Sequence, residues 1–150
     1  MELLYYPGDD VLTNQPSRAD GLEAECRQGL IHAAAGRHQD AASCYLAAWA
    51  LLPEPREARS EAPWILSAIV GAALAKGCSD QALALRRTVR EARGAANPAL
   101  RVALAEVCLA MGLRHRASEE LAAAVASGGP AVLRQGGAAC RALLLEGTPP

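Results

Sequence analysis

Phenylalanine is absent from this chain of 150 residues, whose only aromatics are two tryptophans and three tyrosines. A core with so few rings is poorly suited to the wide space between two stacked sheets; Ala, Leu and Val at close helix–helix distances suit it better. The dense Val/Ile/Thr alternation of strands is missing too. So is a charge excess: 15 basic against 16 acidic residues leave a formal net charge of −1, which speaks against a general nucleic-acid binder. The five cysteines (Cys26, Cys44, Cys78, Cys108 and Cys140) form no CxxC pair. Such an odd, scattered set reads as buried thiols in a reducing compartment rather than a disulfide framework. The opening MELLYYPGDD lacks the basic region and apolar run of a signal peptide. No apolar stretch reaches the ~18–20 residues of a membrane span. A cytoplasmic, single-domain, all-α protein is expected.

What the chain does have is alanine and leucine, both strong helix formers, within a 51% hydrophobic composition. Residues 1–19 hold Pro7, Gly8, Asn14 and Pro16 and read as an extended lead-in, with Tyr5 and Tyr6 packing it on the body. Residues 20–145 read as one helical repeat domain and 146–150 as a flexible tail. Helices are predicted near 20–35, 39–52, 61–76, 79–94, 98–111, 115–127 and 131–145. Glycine and proline punctuate the joints at Gly36, Pro53/Pro55, Gly77, Gly94/Pro98, Gly112 and Gly128–Pro130.

The joints repeat. Gly36 precedes Ala41, Gly77 precedes Ala82 and Gly112 precedes Ala117 by five residues each, in GRHQDA, GCSDQA and GLRHRA. An apolar stripe then follows at helical spacing: Ala41, Tyr45, Ala48, Leu52; then Ala82, Leu85, Val89, Ala92; then Ala117, Leu121, Ala124, Val125. The small residue just past each turn lets the second helix approach the first closely. The pattern is a helix–turn–helix unit seen three times.

This unit resembles the tetratricopeptide repeat, a 34-residue helical hairpin with small residues at its crossings, an aromatic in its second helix and a closing proline. Gly29, Gly36, Ala41, Tyr45, Ala48 and Pro53 carry the match in the first unit. The third keeps Gly112, Ala117 and Ala124, with Leu121 for the aromatic. The second keeps Gly77 and Ala82, but has Arg86 at the aromatic position and Gly71 one residue out of register. Over residues 29–133 the segments AWALLPEP, PWILSAIVGAALAKG and NPALRVALAEVCLAMG are similar to a group of small bacterial tetratricopeptide proteins. These often lie beside polymorphic or contact-dependent toxin genes. The resemblance implies a right-handed α-solenoid of about three hairpins with a C-terminal capping helix over 131–145. It also implies a non-catalytic module that binds another protein, either a cognate toxin or effector as an immunity or accessory protein, or a client as a general scaffold, adaptor or chaperone.

Residues with catalytic potential are isolated. His32, His38 and His115 lack metal-ligand spacing and read as turn or surface histidines. Cys78 at a turn has no positioned base, and Ser43, Ser67 and Ser118 stand outside any nucleophile elbow. GGPAVLRQGG fits neither a P-loop nor a GxGxxG after a strand. No enzyme signature, cofactor or metal is expected. Arg86, Arg87, Arg90 and Arg93 read as a solvated basic face or a patch for an acidic partner.

In a solenoid the first helices of the hairpins line the concave face. By the resemblance, partner contacts fall on Glu23, Arg27 and Leu30 in the first unit, Trp64 and Ser67 in the second, and Val102, Glu106 and Leu109 in the third. Cys26, Ala34 and Gly71 share that face, and Glu61 joins its polar rim. Trp64 stands out because tryptophan is enriched at interface hot spots. A short array with an apolar end also makes a homodimer possible.

Overall fold

The structure is a computed structural model that describes residues 18–93, 97–135, 137 and 140–143. Among the described residues six long α-helices follow one another: α1 (Arg18–Ala34), α2 (His38–Leu51), α3 (Ala62–Lys76), α4 (Ser79–Ala92), α5 (Pro98–Ala110) and α6 (Arg114–Gly128). Short 3-10 turns lie at Arg56–Ala58 and Pro130–Gln135. Among the described residues there is no strand, and no helix is long and apolar enough to cross a membrane. The protein is all-helical.

The recurrent glycine-to-alanine spacing has one physical cause. Gly36, Gly77 and Gly112 all take positive φ, at 81°, 95° and 78°, a region where glycine carries no Cβ penalty. At each turn the glycine N–H donates three residues back, to Ala33, Leu74 and Leu109 at 3.0–3.1 Å. The next N–H, of Arg37, Cys78 or Leu113, donates five back at 2.8–2.9 Å. This is the Schellman stop, made identically three times. The carbonyls of Arg37, Cys78 and Leu113 then accept from Ala41, Ala82 and Ala117, the first bonds of the second helices. All three alanines have zero exposure. The hairpin motif is therefore written in backbone hydrogen bonds.

The joints between hairpins are looser. Asn97 caps α5 by accepting from the Ala99 N–H at 2.9 Å, with Pro98 in the first turn. The longer first interval, from Gly36 to Gly77, holds the segment Pro53–Glu61 with its 3-10 turn.

Each helix packs chiefly on its neighbours in sequence. One apolar cluster draws buried residues from α2 through α6, with Leu22, Cys26 and Ala33 of α1 set against it. Two contacts reach further. The Gln39 side chain donates to the Met111 carbonyl at 2.8 Å, and the Arg101 guanidinium lies 5.4 Å from the Trp49 ring centroid. Residue numbers ascend along α2 as they descend along α5, so these two contacts set the helices antiparallel. The first and third hairpins thus touch directly, whereas in an extended array each unit meets only its neighbours.

The continuous helix expected over 131–145 is not observed. A 3-10 turn occupies Pro130–Gln135, Gly137 is not helical, and helix resumes at 140–143. The Gly137 N–H donates to the Glu106 carboxylate at 2.6 Å instead of to a helix carbonyl, which breaks the ladder. α1 begins at Arg18, two residues inside the expected lead-in. The rest of that lead-in, with Tyr5 and Tyr6, and the expected tail at 146–150 lie outside the described residues.

Candidate functional site

Between α1 and α3 two concavities of about 420 and 630 Å³ adjoin, and Leu30 and Trp64 line both. The first runs over Ala33, Ser67, Ala68, Gly71 and Ala75. The second is bounded by Asp20, Glu23, Arg27 and Glu61. Early residues of α1 face early residues of α3, and later ones face later ones, so the helices run in the same direction along one groove.

Local chemistry holds its centre open. Gly29 is buried against the Tyr45 ring, where a β-carbon would overlap the ring atoms. That contact lets α2 approach α1 and seats Tyr45 at 3% exposure. Tyr45 then meets Trp64 edge to face, with centroids 5.9 Å apart and planes at 87°. Supported on one edge, Trp64 keeps 46% of its surface in solvent, beside Leu30 at 51%. A β-carbon on Gly71 would meet nothing within 4 Å, so the groove floor is uncovered there.

The expected partner-contact residues divide into two groups. Glu23, Arg27, Leu30, Trp64 and Ser67 come together along the groove, with Glu23 and Arg27 paired at 3.6 Å. Val102, Glu106 and Leu109 do not line it. Val102 is 2% exposed and packs with Ala124 and Val132. Glu106 accepts the Gly137 N–H, and half-buried Leu109 packs on the main core. The chain past α6 lies against α5 and covers this part of the face, which sequence periodicity alone does not reveal. Exposed Ile31, at 50%, adds apolar surface on α1 that the repeat register had left out.

A second cluster escaped sequence reading. Arg101, 5% exposed, sits at the start of α5 among apolar neighbours. Its Nε meets Glu57 at 3.2 Å, its Nη2 meets Glu54 at 3.0 Å and its Nη1 meets Glu120 at 3.5 Å. Arg56 adds contacts to Glu54 at 3.6 Å and Glu120 at 3.7 Å. These partners come from the 53–61 segment, α5 and α6, with Glu54 and Arg101 47 residues apart. Burial pushes the Glu120 carboxyl above its ordinary range, although Arg101 and Arg56 pull it down. The Trp49 indole also faces Glu120 and offsets part of that burial. Its Nε1 nonetheless lacks a partner in full hydrogen-bond geometry. For Glu54 burial acts upward as well, but Arg101 and then Arg56 outweigh it and hold the group below its ordinary value. The one sequence clue is a charge inside an apolar stripe, at Arg101 between Leu100 and Val102.

Two histidines engage locally, His32 Nδ1 accepting from Arg37 at 2.9 Å and His115 pairing with Glu119 at 3.1 Å, while His38 lines the first concavity. Among the described residues no group of three or more His, Cys, Asp or Glu is placed to hold a metal ion. Arg86, Arg87, Arg90 and Arg93 are all exposed. No protein-family model matches the chain, and no curated protein or solved structure matches it.

Proposed function

We propose that the protein is a non-catalytic protein-binding module, a tightly wound α-solenoid of three tetratricopeptide-like hairpins that receives its partner in the α1–α3 groove. The observation that carries this reading is Trp64, a large side chain 46% exposed between two adjoining concavities and braced by Tyr45. Leaving about half of the indole in water forgoes roughly 1 kcal/mol of burial, and tryptophan is enriched among interface hot spots. The resemblance of the first hairpin and of the LLPEP segment to toxin-associated bacterial repeat proteins motivates a sharper version. In it the partner is a cognate toxin or effector, and this chain is its cytoplasmic immunity or accessory protein.

Co-expression with the product of the adjacent gene tests both levels. A stable complex that Trp64→Ala weakens by about 30-fold, the hot-spot scale of ~2 kcal/mol, supports the groove. Relief of growth arrest by the wild-type chain supports immunity. Growth arrest that persists although the complex forms assigns the chain to scaffolding or chaperoning instead. A complex indifferent to Trp64→Ala removes the groove from the interface.

A further inference from the structure

We infer that the outer face of α4 is a second docking surface, fitted to an acidic protein segment whose carboxylates meet Arg86, Arg87 and Arg90 and whose apolar side chain covers Leu83. It goes beyond the α1–α3 groove and does not depend on it, since none of these residues lines that groove. Leu83, Arg86, Arg87 and Arg90 stand at i, i+3, i+4 and i+7, one stripe along the helix. All four are exposed, Leu83 at 49%, while Ala82, Leu85 and Ala92 are buried. Arg93 extends the charge just past the helix end.

The chain leaves these arginines unsatisfied. Arg27 and Arg116 pair with carboxylates, Arg37 donates to His32, Arg59 donates to backbone carbonyls, and Arg101 centres the buried cluster. Among the described residues no hydrogen bond or ion pair reaches Arg86, Arg87, Arg90 or Arg93. Glu91 is the one acid between Leu83 and Arg93, and Asp80 lies in the first turn, where it suits the helix dipole. Glu57 shares a cleft with Arg90 and Arg93, and Glu106 shares one with Arg87. Arg101 already holds the first of these acids, and the second accepts the Gly137 N–H. Like charges at i,i+3 and i,i+4 weaken a helix, so the stripe opposes the stability of α4 in the free chain. Guanidiniums favour carboxylates through paired N–H donors, and complementary charge sets partner choice. A nucleic acid fits less well, because the whole chain carries a formal net charge of −1 and phosphate binding draws on a basic excess.

Phage-displayed random peptides of about 12 residues, selected on the immobilised full chain and counter-selected on the double variant Arg86→Gln, Arg90→Gln, provide the test. The expected pool carries several Asp or Glu with an apolar residue beside them. Either substitution alone is expected to weaken its members about two- to five-fold at low salt, the scale of one exposed ion pair. That loss shrinks at high salt. Leu83→Ser is expected to weaken them at every salt concentration, which separates docking from diffuse attraction. Arg37→Gln with Arg134→Gln removes as much charge elsewhere and is expected to leave affinity unchanged. Trp64→Ala is also expected to leave it unchanged, so loss of the groove would not touch this surface. An empty pool after counter-selection, or one without acidic bias, overturns the inference. So does a pool that Trp64→Ala or the Arg37, Arg134 pair weakens as much as the α4 variants do. The thermal midpoint of the α4 double variant is expected to hold or rise; a fall would show that these arginines serve the fold instead. Single-stranded DNA that outcompetes every pool member would assign the stripe to nucleic acid, and self-association abolished by Leu83→Ser would assign it to a second copy; either result overturns the inference.

Discussion

The guanidinium of Arg101 lies over the ring of Trp49, 5.4 Å from its centroid, and neither residue is more than 5% exposed. This contact places a cation from the third hairpin on the most deeply buried ring of the first, inside a cluster whose other members are Glu54, Arg56, Glu57 and Glu120. Cation–π attraction strengthens on desolvation, and the carboxylates satisfy the guanidinium edges. The cluster clamps the long 53–61 segment to α5 and α6.

Removing the cation alone leaves buried carboxylates without their partner. Arg101→Met is expected to destabilise the fold by about 3–5 kcal/mol and to lower the thermal midpoint by roughly 10 °C or more. Arg101→Lys is expected to fall between, because an ammonium cannot meet three carboxylates with a planar fork. Adding Glu57→Leu and Glu120→Leu to Arg101→Met should regain stability, since apolar packing can replace a buried ionic group. Calorimetry of the four proteins decides the matter; an unchanged midpoint in Arg101→Met would show that the cluster holds nothing.

Glu120 and Glu54 act in opposite directions with pH. Glu120 is raised, chiefly by burial, so its contribution to stability is full below the ordinary carboxylate value and is lost as pH rises through its raised one. Glu54 is lowered: burial alone would raise it, but Arg101 and Arg56 prevail. Its contribution is present above the ordinary value and is lost as pH falls through the lowered one. Glu120→Gln should therefore stabilise the fold at neutral pH, by an amount that shrinks on acidification. Glu54→Gln should destabilise it at neutral pH, and only slightly, because its side chain is 62% exposed and solvent screens it. Urea midpoints across the acidic range test both signs.

Two glycines separate packing from propensity. Gly29→Ala gains about 1 kcal/mol of helix propensity, yet its β-carbon overlaps the Tyr45 ring. Tyr45 is buried between Gly29 and Trp64, so overpacking is expected to win and the net loss to be about 1–2 kcal/mol. Gly71→Ala meets no atom within 4 Å and should stabilise α3 by up to about 1 kcal/mol. Denaturant titrations of the pair should move in opposite directions; a stabilised Gly29→Ala would refute the close-approach role.

Thiol accessibility divides the five cysteines. Cys108 and Cys140 are at most 1% exposed. Burial pushes both thiols up, that of Cys140 to about 12 with Glu106 beside it. Cys26, Cys44 and Cys78 are half-buried. Titration of the native protein with a disulfide reagent should modify at most these three and spare Cys108 and Cys140 until denaturant is added. Rapid modification of all five would contradict the packing of the third hairpin.

The hairpins were legible because their information is local. A glycine that must take positive φ, and an alanine five residues later, fix the stop of one helix and the start of the next within a single turn. The six main helices accordingly fall within two residues of where periodicity places them. The last one failed for a local reason with a distant partner: Gly137 gives its N–H to Glu106, 31 residues back, and helix propensity carries no trace of that bond. Within the groove, Trp64 and Leu30 were identifiable from repeat register. Val102 was assigned to the same face, but the chain beyond α6 covers it.

Composition and spacing by themselves determined that this is an all-helical protein of three hairpins hinged at Gly36, Gly77 and Gly112, because helix propensity and turn stereochemistry act over a few residues. Tertiary structure decided that the third hairpin folds back onto the first, through Arg101 on Trp49 and Gln39 on Met111, and that α1 and α3 hold the open groove. Those outcomes depend on burial and on charge pairing between side chains far apart in sequence. Such terms exist only once the helices have packed.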